Sequence, residues 1–411
     1  TFNLAIATVL VERGAAAGGR RSRLGAVLVA VQVALSLVLL CGAGLFLRTV
    51  RNLRAQDLGF DRDRLLLIWA NPAQARRTGP SAVALYTTIE ERLSTVAGVR
   101  AVSPSVYGMF QGAPGYGTIL KVPGYTAGND TDDRAQWSIV GTRYFETLGL
   151  DLLAGRNFTE RDASTTTQVA IVNETMARHF FGNDNPLGRQ FDAWGGMKEI
   201  VGVVRDAKYE SPREQGLRMF YLPYRQQLGR LAQPMCVAVR TEVSPATLAA
   251  RLRQELRNTV PDLPVLRMET IGDQLDALLV QERLIATLSS FFAAAAALLA
   301  CLGLYGVLSY TVSRRRSELG IRMALGATRA GVAALVVRES LLVTGAGVAI
   351  GAPAAVAGAR LISNRLFGVS ATDPATIGGA VLLLCAVAAV SAWAPAHRAS
   401  RVDPSVALRC E

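Results

Sequence analysis

Four stretches of this 411-residue chain are long, apolar and almost free of charge: 24–47, 284–312, 332–359 and 374–396. About 18–20 apolar residues in a helix cross the roughly 30 Å hydrocarbon core of a bilayer. Each stretch meets that length, so the pattern predicts four transmembrane helices. Residues 48–283, between the first and second, read differently. Here strand-like alternation gives way repeatedly to helical spacing. "DRLLLIWA" reads as a strand. "SAVALYTTIEERLSTV" follows as an amphipathic helix, with Val83, Tyr86, Ile89, Leu93 and Val96 on one stripe. "VRAVSPSVYG" returns as a strand.

The same series recurs later as "MCVAVRT", "SPATLAARLRQELRNTV" and "LPVLRME", with Ser244 expected at the N-cap and Pro245 opening the helix. Two such β-α-β units can build one split α+β lobe, expected at about 62–136 and 233–270. A second lobe is expected as an insertion at about 137–222, with strands such as "TQVAIVNE" and "EIVGVVRD". "TIGDQLDALLVQER" and "RTVRNLRAQD" are helical and adjoin spans two and one. They predict stalk helices at both ends of the domain, the former running straight into its span. The fold class expected is therefore membrane α-helical, with four spans and a large two-lobed α+β extracytoplasmic domain between helices 1 and 2.

Composition agrees. Half of the residues are apolar and only 18% are charged, against roughly 25% in ordinary soluble domains. The net charge is +12, and Lys121, Lys198 and Lys208 are the only lysines. The arginines cluster at particular span ends. Arg13, Arg20, Arg21 and Arg23 precede span one; Arg314, Arg315, Arg316, Arg322 and Arg329 lie between spans two and three; Arg398, Arg401 and Arg409 follow span four. Basic loops stay in the cytoplasm, which predicts a multi-pass membrane protein with both termini cytoplasmic; in a bacterium that membrane is the inner (plasma) membrane. Residues 1–23 then form a cytoplasmic amphipathic segment and 397–411 a cytoplasmic tail. The 48–283 insert holds 29 basic and 26 acidic residues, a near balance that argues against nucleic acid as partner. A membrane-surface helix for "FNLAIATVLVE" and a frayed terminal helix are equally open readings. Thr1 in place of Met suggests a processed chain or a piece of a longer one.

Span three contains Arg338 and Glu339, about two turns from its start, and these read as interfacial anchors rather than an ion site. Gly347 and Gly351 form a GxxxG that permits close helix packing. Five cysteines are too scattered for a disulfide framework. No GxxxxGK[ST] occurs, and no glycine directly precedes any lysine, so the chain has no P-loop of the usual kind. His179 and His397 are the only histidines, which excludes HExxH, and there is no GxSxG. The chain is thus expected to be no enzyme and to hold no cofactor of its own.

One segment reads equally as an ordinary basic loop that anchors topology and as a docking helix. In "SRRRSELGIRMALGATRAG", 313–331, Leu319 and Met323 make one apolar strip on a helix, and Ile321 and Leu325 another. Gly326 can end that helix and Thr328 can cap the next. One strip can rest on the membrane while the other waits for a protein groove.

This segment resembles the cytoplasmic loop of the MacB/FtsX-like ABC-transporter permeases. "RYFETLGLDLLAGRNFTERD", "VAIVNETMARHFFGNDNPLGRQF", "EIVGVVRDAKYESPREQGLRMFYLPY" and the tail "PAHRASRVDPSVALR" extend the resemblance along nearly the whole chain. It closely resembles the branch with two permease halves in one polypeptide, of which this would be the C-terminal half. The resemblance implies four spans, a two-lobed extracytoplasmic domain and a partner ABC ATPase that binds the ATP. It also implies pairing with a second permease half, as a homodimer or with a fused upstream half. The ATPase-coupling positions it implies are Ser317, Glu318, Leu319, Gly320, Ile321, Arg322, Met323, Leu325 and Gly326.

The function expected is a permease subunit working by mechanotransmission, coupling the ATPase to movement of the external domain for export or extraction of a substrate. The alternative is a non-transporting signalling module that regulates an extracytoplasmic protein partner. A receptor with no motor is a third reading, and it predicts that Leu319→Asp or Leu325→Asp is tolerated. Membrane lipid is the remaining expected partner.

Overall fold

The computed structural model describes residues 2–77, 79–110, 117–129, 131–164, 167–227, 235–325 and 327–400. Helix α1 (Phe2–Ala55) is unbroken through the first apolar stretch and beyond it. The chain divides into two compact units, Ala55–Leu279 and the remainder.

The first unit opens with β1 (Leu65–Ala70), α2 (Pro80–Ser94) and β2 (Val99–Ser105). It closes with β10 (Met235–Thr241), α5 (Pro245–Thr259), β11 (Val265–Thr270) and α6 (Ile271–Leu278). Between these lie β3 (Thr118–Lys121), β4 (Arg134–Val140), α3 (Tyr144–Leu148), β5 (Leu152–Gly155), β6 (Gln168–Asn173), α4 (Glu174–Phe181), β7 (Gln190–Ala193), β8 (Gly196–Val204) and β9 (Met219–Pro223). The order β11-β1-β10-β2 interleaves the two β-α-β units, with every neighbouring pair antiparallel. This is the split β-α-β arrangement. β4 straddles the 136/137 boundary and joins the two lobes: Val140 pairs with Ser105 of β2, while 136–140 run parallel to β9.

The sheet thus continues through both lobes, and alternation along its strands gives it two cores. Successive strand residues point to opposite faces. In β1, Leu66, Ile68 and Ala70 enter one core and Leu65, Leu67 and Trp69 the other. β6 divides the same way, Ala170 and Val172 against Val169 and Ile171, as does β9, Phe220 and Leu222 against Met219 and Tyr221. Helices α2, α4 and α5 cover the first face; α3 and α6 cover the second. Being covered on both sides is why β1 reads as an unbroken apolar run. On α2 the buried stripe includes Ala82 and Leu85 besides the expected Tyr86, Ile89 and Leu93, and Val83 is half-buried. Ser244 does sit at the N-cap of α5, with Pro245 next, but its hydroxyl makes no capping bond.

The segments that carried the resemblance are joints of this fold. Asn173, at the end of β6, caps α4 by accepting from Met176 N at 3.0 Å and also accepts from Met219 N of β9 at 2.9 Å. Its Nδ2 donates to Asp206 Oδ1 and to Leu217 O, both at 2.7 Å. Asp206 in turn accepts from Thr175 N at 3.0 Å and Thr175 Oγ1 at 2.6 Å. Arg156 and Asp162 form a bidentate pair at 2.8 and 2.9 Å, and the Asp162 carboxylate also accepts from Thr159 N at 2.7 Å. Gly155 is required where it is: its φ is +78°, and a Cβ there would lie 2.3 Å from Val201 O. Buried Arg240 donates to Thr147 O at 2.7 Å and pairs with Asp61 at 2.6 Å.

The expectation of a helix running straight from the domain into span two is corrected. α6 begins in a capping box between Thr270 and Asp273 and ends at Leu278; Leu279 interrupts the helix. The reason is burial. Ile271 and Leu275 are committed to the sheet's second core, so α6 is an element of the domain and not a stalk.

The second unit contains α7 (Val280–Arg314), α8 (Arg316–Ala324), α9 (Arg329–Leu361) and α10 (Pro374–Ala399). Together with the 24–55 part of α1, α7, α9 and α10 are four helices long and apolar enough to cross a membrane. Small residues set their packing. A Cβ on Gly347 would lie 2.7 Å from Ala30 O, and one on Gly351 would lie 2.8 Å from Ala34 Cα. The GxxxG therefore brings α9 against α1, as such motifs allow. Ser340 donates to Ala388 O across α9 and α10 at 3.2 Å. The α9–α10 connection is tied to the end of α1, where Asn52 Nδ2 donates to Gly368 O at 3.0 Å and Phe367 N donates to Thr49 Oγ1 at 3.3 Å.

Candidate functional site: the helix between spans two and three

α8 is a two-turn helix held between α7 and α9. Arg315 breaks the α7 ladder, yet Arg315 N still donates to Thr311 O and Leu319 N to Arg315 O, at 3.0 and 2.9 Å. The chain thus turns from one helix into the next with few backbone groups left open. At the other end Ala327 N donates to Arg322 O at 3.0 Å, and Thr328 Oγ1 accepts from Gly331 N at 3.1 Å to cap α9.

The two apolar strips of α8 have different fates. Leu319 is 5% exposed and packs with Leu308 and Val312 of α7, Val332 and Val336 of α9, and Ala392 and Ala396 of α10. Met323 is half-buried against the same cluster. This strip is held by the bundle, so of the two strips it is the one with Ile321 and Leu325 that stays open. Ile321, 45% exposed, and Leu325, 83% exposed, face outward. Glu318 and Arg322 are exposed as well. Ser317 and Gly320 lie on the backbone of α8, and Gly326 lies outside the described residues.

A contact invisible in the sequence fixes the near end. Arg315 pairs with Glu339 of α9 at 3.5 Å. The adjacent Arg338 is exposed. The charges placed two turns into span three are therefore split, Glu339 toward the loop and Arg338 outward. An arginine before the short helix and an acid about two turns into the following span was the available signal, and spacing alone could not pair them.

These features define a polytopic membrane protein with a large α+β domain between its first and second spans and a short amphipathic helix between its second and third. The MacB-like periplasmic core domain matches residues 26–255, and the FtsX-like permease C-terminal region matches residues 290–404. The chain belongs to the MacB-like ABC transporter permease family.

Among relatives, it is 25% identical over 275 residues to the "Uncharacterized ABC transporter permease YknZ" of Bacillus subtilis, covering 65% of this chain and 68% of that protein. It is 24% identical over 297 residues to the macrolide export ATP-binding/permease protein MacB of Mannheimia succiniciproducens, covering 69% of this chain and 45% of that protein. The corresponding protein of Aggregatibacter actinomycetemcomitans is 25% identical over 224 residues, 53% of this chain and 34% of that one. The chain thus spans between a third and a half of the length of these two MacB relatives. The crystal structure of the periplasmic region of MacB from Actinobacillus actinomycetemcomitans overlays with a TM-score of 0.38 at 20% identity, covering 56% of this chain and 97% of that one.

Proposed function

We propose that this chain is the permease subunit of an ATP-driven complex and works by mechanotransmission. A partner ATPase grips α8. The stroke passes along α1 and α7 into the large domain, whose movement exports or extracts a substrate. The observation that carries this reading is the division of α8 into a fastened strip and an open one. Leu319 and Met323 bind it to the bundle, so a push on α8 is a push on the spans. Ile321 and Leu325 offer apolar side chains outward, which a loop that only fixes topology has no use for. Exposed apolar residues beside the charges of Glu318 and Arg322 suit a protein groove with a polar rim. No P-loop lies within these residues, so on this reading the work comes from an ATPase outside them.

On this reading both chain termini are in the cytoplasm, the membrane is the bacterial inner membrane, and a second permease half, a copy or a fused sister, completes the unit. ATP belongs to the partner.

The test is co-purification. Leu325→Asp and Ile321→Asp should release the ATPase while leaving the yield of folded permease unchanged. Leu319→Ala should lower the yield itself, since a buried leucine truncated to alanine costs about 2–5 kcal/mol. ATPase retained in full by Leu325→Asp and Ile321→Asp would refute the docking role.

A further inference from the structure

We infer that a groove between α1 and α10 is a binding site for an anionic phospholipid of the membrane. The groove has a volume of about 360 Å³, within the roughly 300–1,000 Å³ of small-molecule sites. One stripe of α1, with Leu40, Gly44 and Leu47, forms one wall; Ala375, Gly379 and Leu383 of α10 form the other. Gly44 lets the walls meet at the floor, because a Cβ there would lie 2.7 Å from Thr376 Cγ2. Gly379 does the opposite: a Cβ there meets nothing within 4 Å, so it faces open groove.

Charge marks one end. The uncharged run of α1 stops at Leu47, and Arg48 and Arg51 line the groove immediately beyond it. Arg48 is already neutralised by Asp373, which accepts from Thr376 N at 2.8 Å and Thr376 Oγ1 at 2.6 Å. Arg51 is exposed and has no partner among the described residues. The net charge offered is therefore one positive unit, on a planar guanidinium suited to bidentate contact with phosphate. A phosphodiester headgroup carries one negative charge.

The depth also fits. From Arg51 to Leu40 is eleven residues, about 16 Å along the helix, close to half of a roughly 30 Å hydrocarbon core. The site thus offers a cation at the membrane surface and an apolar trough about one leaflet deep. A soluble anion would use only the first; a second protein chain has no reason to match both.

The test uses the intact chain with its native partners, purified in detergent and examined by native mass spectrometry. The probes are phosphatidylglycerol, phosphatidylcholine with the same acyl chains, and inorganic phosphate. Phosphatidylglycerol should be retained over phosphatidylcholine, and inorganic phosphate should not compete. Arg51→Ala should weaken phosphatidylglycerol roughly fivefold, the equivalent of about 1 kcal/mol for one interfacial arginine. Arg51→Lys should keep most of the preference. Gly379→Leu should reduce both lipids, because it fills the trough and leaves the headgroup site alone; Gly379→Ala is the milder variant should leucine lower the yield. Arg329→Ala, at the start of α9, should change nothing. The proposal is overturned if Arg51→Ala and Gly379→Leu retain phosphatidylglycerol like the parent protein. It is equally overturned if inorganic phosphate displaces the lipid, or if Gly379→Cys crosslinks efficiently to another protein chain.

Discussion

Replacing Asn173 by alanine should strongly destabilise the large domain. The side chain is buried and uses its full capacity, accepting from Met176 N and Met219 N and donating to Asp206 and Leu217 O. Losing an N-cap typically costs about 1 kcal/mol. The bond to the Asp206 carboxylate is worth roughly 1.5–3 kcal/mol as a contact with a charged group, and each buried group left unpaired costs about 1–3 kcal/mol. These contributions overlap, and a net loss of about 4 kcal/mol is the expectation. Native domains are stable by only about 5–15 kcal/mol, so the domain should fold but marginally.

Urea unfolding followed by tryptophan fluorescence measures this, since Trp69, Trp137 and Trp194 lie in the domain and only Trp393 in α10. With a slope near 3 kcal/mol/M, the midpoint should fall by about 1.3 M. Asn173→Ser, which keeps one acceptor, should fall about half as far. A shift below about 0.3 M for the alanine variant would refute the argument that this residue joins β6, α4 and β9.

Glu90 of α2 sits near the Arg225–Glu160 pair, and burial first, then Glu160, pushes its pKa up to about 7 from 4.5. The folded state therefore holds a proton that the unfolded state releases between about pH 4.5 and 7. Stability should decline as pH rises through that window and level off above it. Glu90→Gln should flatten this slope, and parallel urea midpoints for parent and variant between pH 5 and 8 would contradict it. Gly351→Leu should part α9 from α1, because its Cβ meets the backbone of Ala34; broadened gel filtration in detergent reports it. Gly345→Leu, with nothing within 4 Å of its Cβ, should elute as the parent protein does.

Much of this architecture is written in local pattern. The spans are legible because a bilayer demands an uninterrupted apolar length, and no other environment in the chain does. The two β-α-β units are legible because a strand and an amphipathic helix have different periods, 2 and 3.6 residues. The α8 segment is legible as an amphipathic helix for the same reason.

Sequence pattern could not assign its two strips. Leu319 and Ile321 are both apolar and two positions apart; which one the bundle takes depends on where α7, α9 and α10 lie around it. Nor could periodicity show that α6 belongs to the domain, since a stalk helix and a sheet-packed helix have the same amphipathic pattern. The pairings Arg315–Glu339, Arg48–Asp373 and Asn173–Asp206 join residues 24, 325 and 33 positions apart. Local sequence specifies which groups need a partner, because burial and charge are properties of the residue. Only the folded chain decides which partner each one finds, because that depends on proximity between segments that are distant along it.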